Sequence, residues 1–272
     1  LVPTMGYLHE GHRSLMRAAR AATDLVIVTI FVNPLQFGPN EDLDRYPRDL
    51  DGDLAACRAE SVDVVFAPTV DEMYPRPLVT SVHVAGLTDA LCGVSRPTHF
   101  DGVTTVVAKL CSIVGACTAF FGRKDAQQLA VVTRMARDLD LPVEVVGCPL
   151  VREPDGLALS SRNAYLAPEQ RRAALALSRG LREGVDLVVR GERDPRPVVA
   201  RVLDVLAAEA LVETEYVELR DAEELEPVAR LDGRLLLAVA ARVGATRLID
   251  NAHLVIDGAR VDVDLGVVAT AS

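Results

Sequence analysis

The sequence predicts an α/β protein: a parallel sheet with helices on both faces, followed by a smaller C-terminal α+β domain. Three observations carry this. Short apolar runs alternate with helical periodicity as far as Val146, the βαβα pattern of a parallel sheet. The run from Leu25 to Phe31 is continuously apolar or β-branched, as a strand buried on both faces requires. Beyond Cys148 the order changes to two helices and then three strands with no helix between them, which suits antiparallel pairing. The predicted division is residues 1–150 and 151–272.

Each element has a local reason. Leu1-Val2 is the end of a strand, and Pro3 and Gly6 break it. Leu15, Met16, Ala18, Ala19 and Ala22 then recur at three-to-four spacing, so a helix starts near His12. The strand from Leu25 stops at Asn33-Pro34, a turn signal. A helix is expected from Asp49 to Glu60 and a strand from Val62 to Ala67. Val79 to Val84 reads as a short strand outside the alternation, and Cys92 to Gly102 as a loop carrying Arg96 and His99. Next come a helix from Val103 to Ile113, a strand from Thr118 to Phe121 ended by Gly122, a helix to about Leu139, and a strand from Val143 to Val146. Gly147-Cys148-Pro149 is a hinge signal. The second domain has helices from Pro168 to Arg190 and Pro195 to Glu209, then strands near Glu213–Leu219, Leu235–Ala241 and Thr246–Asp250.

Composition excludes several classes. Half of the 272 residues are hydrophobic and a quarter charged, with no Trp, so the core must be built from Leu, Val and Ala. The net charge of −10 argues against a nucleic-acid surface, which would be basic. It also means that an anionic substrate needs a local basic cluster. The five cysteines form no C-x-x-C pair; zinc spacing is absent, and buried free thiols in a reducing cytoplasm are expected. No apolar run reaches the roughly 18 residues of a membrane span, and no signal peptide is visible.

The chemistry concentrates in Pro3-Thr4-Met5-Gly6-Tyr7-Leu8-His9-Glu10-Gly11-His12. This is a strand end, a turn and a helix start. In a parallel sheet such a junction lies at the carboxyl edge, where ligands bind. A helix start also offers free N–H groups to anions. His9 and His12 can both face one anion, and Gly11 admits a close approach. Imidazoles there can donate to phosphate oxygens as charge develops in nucleotidyl transfer. A second strand, glycine, helix-start sequence carries Lys124, Asp125 and Gln128 after Gly122, and Ser160-Ser161-Arg162 combines two hydroxyls with a guanidinium suited to phosphate. Taken alone, Asn33 and Gln36 are turn and surface residues, Lys124 a solvated cation, and Ser160 a helix cap.

The motif Pro-Thr-Met-Gly-x-Leu-His-x-Gly-His resembles the signature of the pantothenate synthetase (pantoate–β-alanine ligase) family, within the H-x-G-H nucleotidyltransferase superfamily. Further matches run in order along nearly the whole chain: Phe31-Val32-Asn33-Pro34-Leu35-Gln36-Phe37, Arg96-Pro97-Thr98-His99-Phe100, Lys124-Asp125, Gln127-Gln128-Leu129, Ser160-Ser161-Arg162-Asn163 and Thr246-Arg247-Leu248-Ile249-Asp250-Asn251. The resemblance implies a Rossmann-like first domain and a C-terminal lid. It implies that ATP and pantoate form a pantoyl adenylate and pyrophosphate, and that β-alanine then displaces AMP. His9, His12, Lys124, Ser160, Ser161 and Arg162 become the catalytic set. Pro3, Thr4, Met5, Gly6, Gly11, Gly122, Asp125, Val151 and Leu159 join the ATP contacts. Met5, Asn33, Gln36 and Gln128 would hold pantoate, and Asp53 would hold Mg²⁺. The family further implies a cytoplasmic homodimer without nucleic-acid or membrane partners, and another strand portion and helix ahead of Leu1.

Two readings stay open beside it: another H-x-G-H nucleotidyltransferase, and a non-catalytic ligand-binding paralogue. The chain departs from the family at Arg123 and Ala126, where Glu and Tyr are usual, and at Leu159, where Met is usual. Arg123 beside Lys124 predicts two cations repelling each other in the empty site.

Overall fold

The computed structural model describes residues 1–39 and 41–269. The chain divides into two compact units: Leu1–Arg123 with Gln127–Cys148, and Lys124–Ala126 with the chain from Pro149 onward.

The first unit runs β1 (Val2–Thr4), α1 (Glu10–Ala22), β2 (Ile27–Ile30), α2 (Leu50–Ala59), β3 (Val64–Phe66), α3 (Val70–Met73), α4 (Cys92–Ser95), α5 (His99–Val114), β4 (Cys117–Gly122), α6 (Ala126–Asp138) and β5 (Val143–Cys148). All pairing is parallel: Val2 lies opposite Val28, Ile27 opposite Val64, and Cys117 opposite Val143. Leu1 joins the two groups of strands. Its nitrogen donates to the Thr118 carbonyl at 2.8 Å and its carbonyl accepts from the Phe120 N–H at 2.9 Å. Strand alternation turns the next groups on that side to Pro3, which has no N–H to give, and the ladder to β4 stops there. The resulting order, 3-2-1-4-5, reverses between β1 and β4, a topological switch point.

Side chains alternate across this sheet. Leu1, Phe31, Ala119 and Phe121 face Val103, Val107 and Leu110 of α5 and Met135 of α6. Val2, Val28 and Phe120 face Leu15, Met16 and Ala19 of α1 and Cys57 of α2. The expected helices on both faces are therefore present. The strand expected from Val79 to Val84 does not form. Hydroxyls of α5 bind its backbone instead: the Val82 N–H donates to Thr105 Oγ1 at 3.0 Å, and Thr104 Oγ1 donates to the Val82 carbonyl at 2.5 Å. The expected loop from Cys92 to Gly102 holds α4 and the first turn of α5.

The second unit contains β6 (Val151–Arg152), α7 (Pro168–Val189), α8 (Pro195–Ala207), β7 (Val212–Asp221), β8 (Gly233–Val243), β9 (Thr246–Asp257), β10 (Arg260–Asp264) and β11 (Val267–Val268). Strands β7 to β10 form an antiparallel sheet in the order 10-9-8-7, and β6 pairs parallel with β11. Leu177, Leu181 and Val185 of α7 and Val202 and Leu206 of α8 cover Leu235, Leu237, Val239 and Leu254 of the sheet. The strand expected to end at Asp250 continues to Asp257 and turns back into β10, whose Arg-Val-Asp-Val-Asp alternates charged and apolar residues at the strand period. Among the described residues no helix is long and apolar enough to cross a membrane.

Candidate active site

In the first unit the motif at the end of β1 is a strained, braced turn. Gly6 has φ +81° and Tyr7 φ +51°, a left-handed path costly for the tyrosine. Asp53 of α2 holds it: Oδ2 accepts from the Tyr7 N–H at 2.9 Å and Oδ1 from the Leu8 N–H at 2.7 Å. Asp53 is only 4% exposed. A Cβ on Gly6 would lie 2.7 Å from Asp53 Oδ2, so glycine is required there. Thr4 Oγ1 accepts from the Gly6 N–H at 3.2 Å and donates to the Thr29 carbonyl at 2.7 Å, tying the turn to β2. Pro3 and Met5 flank it.

The brace delivers His9 to the start of α1. The carbonyl of His9 accepts from His12 N–H at 2.8 Å and Arg13 N–H at 3.0 Å. The two imidazoles stack with centroids 4.0 Å apart. His12 Nδ1 accepts the His9 backbone N–H at 3.3 Å. A nitrogen that accepts carries no proton, so the neutral ring keeps its proton on Nε2, as a donor. Gly11 lies between them in the first turn of α1, where its carbonyl accepts Ser14 Oγ at 2.8 Å. The N-terminus of α1 also carries backbone N–H groups without helical partners, which favour an anion.

A second cluster stands at the ends of β1 and β2. Asn33 and Gln36 are both buried. Asn33 Nδ2 donates to Gln36 Oε1 at 3.1 Å and to the Gly102 carbonyl at 3.0 Å. Gln36 Nε2 donates to Met5 Sδ at 3.1 Å. The Tyr74 hydroxyl donates to Asn33 Oδ1 at 2.8 Å; burial pushes that phenol up to about 12, so it remains a donor. Arg96 Nη2 donates to the Gln36 carbonyl at 3.2 Å, and His99 Nδ1 sits 2.8 Å from the same oxygen. Arg96 is itself held by Glu41. Burial alone would raise the Glu41 carboxyl, but the Arg96 hydrogen bonds and charge outweigh it and hold Glu41 below the usual range. The result is two buried amides held in fixed orientations.

Further along the first unit, Gly122 ends β4. Arg123 runs over Gly147 of β5, with its Nε 3.5 Å from where a Gly147 Cβ would be. In α6 it is Gln127 that folds inward, bonding Leu87, Ala90 and Cys92 backbone groups. Gln128 is half-buried.

The second unit carries the rest. Lys124 and Asp125 lie in a 3-10 turn, with Lys124 Nζ 3.7 Å from Asp125 Oδ1. The Lys124 carbonyl accepts Asn251 Nδ2 at 2.8 Å. Leu159 N–H donates to the Val151 carbonyl at 2.9 Å, closing a loop that leads to Ser160. Ser160 Oγ accepts the Arg162 N–H at 3.3 Å, capping the 3-10 turn Ser161–Tyr165. Asn163 Nδ2 anchors that turn to Glu153 at 2.9 Å and the Ala158 carbonyl at 3.0 Å. The cap expected of Ser160 thus exists, on a 3-10 turn and not on α7.

Asp53, expected as a metal ligand, has each oxygen occupied by a backbone amide, and among the described residues no three His, Cys, Asp or Glu side chains group as a metal site. Each oxygen thus already has one fixed structural partner, and a metal there would have to share it. Residues that sequence reading missed are supports: Tyr74, Arg152 and the inward Gln127. An isolated Tyr or Arg gives no pattern to find it by.

A parallel 3-2-1-4-5 sheet with a histidine-bearing helix start beside its switch point defines a Rossmann-like, nucleotide-binding α/β protein. Residues 1–253 match the family model for pantoate-beta-alanine ligase, and the chain belongs to that family. It is 57% identical over 254 residues to the pantothenate synthetase of Moorella thermoacetica, covering 93% of this chain and 90% of that one. Among solved structures, the pantothenate synthetase of Thermus thermophilus matches with TM-score 0.89 and 48% identity over 92% of this chain and 91% of that one. The pantoate-beta-alanine ligase of Francisella tularensis, complexed with β-γ ATP and β-alanine, matches with TM-score 0.72 and 32% identity over 92% and 87%. Members of the family are ligases that condense pantoate with β-alanine using ATP, through an adenylate.

Proposed function

We propose that this chain performs the family reaction with the residues named above. One observation supports the reading: the histidine pair opening α1 and the Met5–Gln36–Asn33 cluster follow the adjacent strands β1 and β2.

A pantoate carboxylate oxygen attacks the α-phosphorus of ATP. The new P–O bond forms as the bond to the β-phosphate oxygen breaks, and pyrophosphate leaves. The uncharged amine of β-alanine then attacks the acyl carbon; the C–N bond forms, the acyl–oxygen bond to phosphate breaks, and AMP leaves. The amine proton goes to solvent. No side-chain nucleophile is required. Asn33, Gln36, Met5 and Gln128 orient pantoate. His9 and the Nε2–H of His12 stabilise charge on the phosphates, as preorganised donors do. Lys124, Ser160, Ser161 and Arg162 serve the phosphates too, with Pro3, Thr4, Gly6, Gly11, Gly122, Asp125, Val151 and Leu159 supporting the nucleotide. Mg²⁺ would arrive on ATP, neutralising phosphate charge; it usually keeps several waters and binds through substrate phosphates. The five free, mostly buried thiols suit a reducing cytoplasm, and a homodimer is what the family resemblance implies.

The test is isotope exchange. Pyrophosphate should exchange into ATP only with pantoate present, and without β-alanine. Exchange driven by a phosphorylated acceptor instead would favour another nucleotidyltransferase; ATP binding without any exchange would favour a non-catalytic paralogue.

A further inference from the structure

The stretch Thr246–Asn251 belongs to the family pattern but has no part in the chemistry above. Its place in the second unit gives it one. Arg152 and Asp250 form an ion pair, each side chain 2% exposed. The contact is a two-pronged fork: Nη1 to Oδ2 at 2.7 Å and Nη2 to Oδ1 at 2.9 Å. Arg152 also donates from Nε to the Leu265 carbonyl at 2.5 Å and from Nη1 to the Gly156 carbonyl at 3.1 Å. Asp250 Oδ1 accepts the Asn251 N–H at 2.7 Å, and Asn251 Nδ2 donates to the Lys124 carbonyl at 2.8 Å.

Burying such a pair is poor stabilisation, since an apolar pair of the same volume often does as well or better. What the planar fork supplies is direction. It fixes the Asp250 carboxylate, which fixes the Asn251 backbone, whose side chain then fixes Lys124. The anchored atom matters. Lys124 has a long, flexible stem, and its ammonium lies a loose 3.7 Å from Asp125 Oδ1. Where the ammonium can reach is therefore decided at the backbone. Lys124–Ala126 also group with the second unit while Arg123 and Gln127, on either side, group with the first. The Asn251 bond is a direct tie holding that short segment to its unit.

We propose that Asn251, set by the buried Arg152–Asp250 pair, is a positioning residue for Lys124. The proposal rests on the assignment of Lys124 to the phosphates. A misplacement of about 1 Å can cost up to 10²-fold in rate, and losing one hydrogen bond of about 1.4 kcal/mol corresponds to about 10-fold.

The experiment is a double-mutant cycle on the full chain, read by pantoate-dependent pyrophosphate–ATP exchange and by melting temperature. Asn251→Ala removes the donor to Lys124 but keeps the N–H on Asp250. It should lower exchange kcat about 10-fold, leave the pantoate KM within about twofold, and shift the melting temperature little. In a Lys124→Ala background the same change should cost nothing more, because linked residues are not additive. Asn251→Asp, nearly isosteric, should lose at least as much, since an acceptor would face the Lys124 carbonyl. An equal loss from Asn251→Ala in both backgrounds would overturn the proposal in favour of a general structural role. If Lys124→Ala loses activity while Asn251→Ala alone is silent, only the positioning role fails. Full activity in Lys124→Ala sinks both this role and the assignment of Lys124.

Discussion

Asp53→Asn separates a turn brace from a metal ligand. In the wild type each carboxylate oxygen accepts one backbone N–H, at 2.9 and 2.7 Å. Those are charge-assisted lengths, and such bonds are worth about 1.5–3 kcal/mol each. Asparagine keeps one acceptor. Its NH₂ faces the other backbone N–H, which leaves a buried donor without a partner, at about 1–3 kcal/mol. The retained bond also loses its charge. The combined destabilisation is about 2–4 kcal/mol, concentrated in the left-handed turn at Gly6 and Tyr7. His9 follows two residues later, so its ring and the start of α1 shift with the turn. Exchange kcat should fall by about 10–10², while the Mg²⁺ concentration for half-maximal exchange at fixed ATP stays within about twofold. Gly6→Ala should behave similarly, because its Cβ would lie 2.7 Å from Asp53 Oδ2. The assays are exchange against Mg²⁺ and thermal melting by circular dichroism. Recovery of Asp53→Asn at high Mg²⁺ would show a metal ligand and refute the brace. Normal activity with a normal melting temperature would show that the turn does not depend on Asp53.

Other expectations follow from the same geometry. His9→Ala or His12→Ala should lower exchange by roughly 10²–10³, the loss of one preorganised donor, with folding intact by circular dichroism; a normal rate would remove that residue from the mechanism. Tyr74→Phe removes the hydroxyl that fixes Asn33 Oδ1 and should raise the pantoate KM about 3–10-fold, in line with one hydrogen bond, leaving the ATP KM unchanged; steady-state kinetics decide it. The pH test uses Glu41, whose folded-state carboxyl lies below its usual value. Its contribution is fully present above the unfolded value of about 4.3 and is lost as pH falls through the lower folded value. Wild type should therefore melt higher than Glu41→Gln at neutral pH, by the equivalent of about 1 kcal/mol, and the gap should close only below about pH 4. A gap that is constant with pH would mean that the Arg96–Glu41 charge pair contributes nothing.

Periodicity and punctuation were enough to determine the alternating sheet and most helices, because burial on both faces imposes patterns that survive in a single sequence. The residues of β1, β2, β4 and β5 and the start of α1 could be read this way. So could the residue types at the two candidate clusters, through the ordered motifs. Other features depended on partners distant in sequence. The segment Val79–Val84 has strand composition, but Thr104 and Thr105 of α5 take its backbone groups. Asp53, Asp49 and Asp51 are alike in composition, and only the fold brings Asp53 against the Tyr7 and Leu8 amides. Arg123 and Lys124 are neighbours in sequence, but what each touches is set by distant residues: Arg123 lies along Gly147, and the Lys124 carbonyl accepts Asn251 Nδ2. Arg152 and Asp250 are 98 residues apart, with nothing local to mark them as a pair. A sequence records what each residue needs from its near neighbours and from a periodic face. Which distant group satisfies a buried charge or an unpaired amide is settled only when the chain has closed on itself.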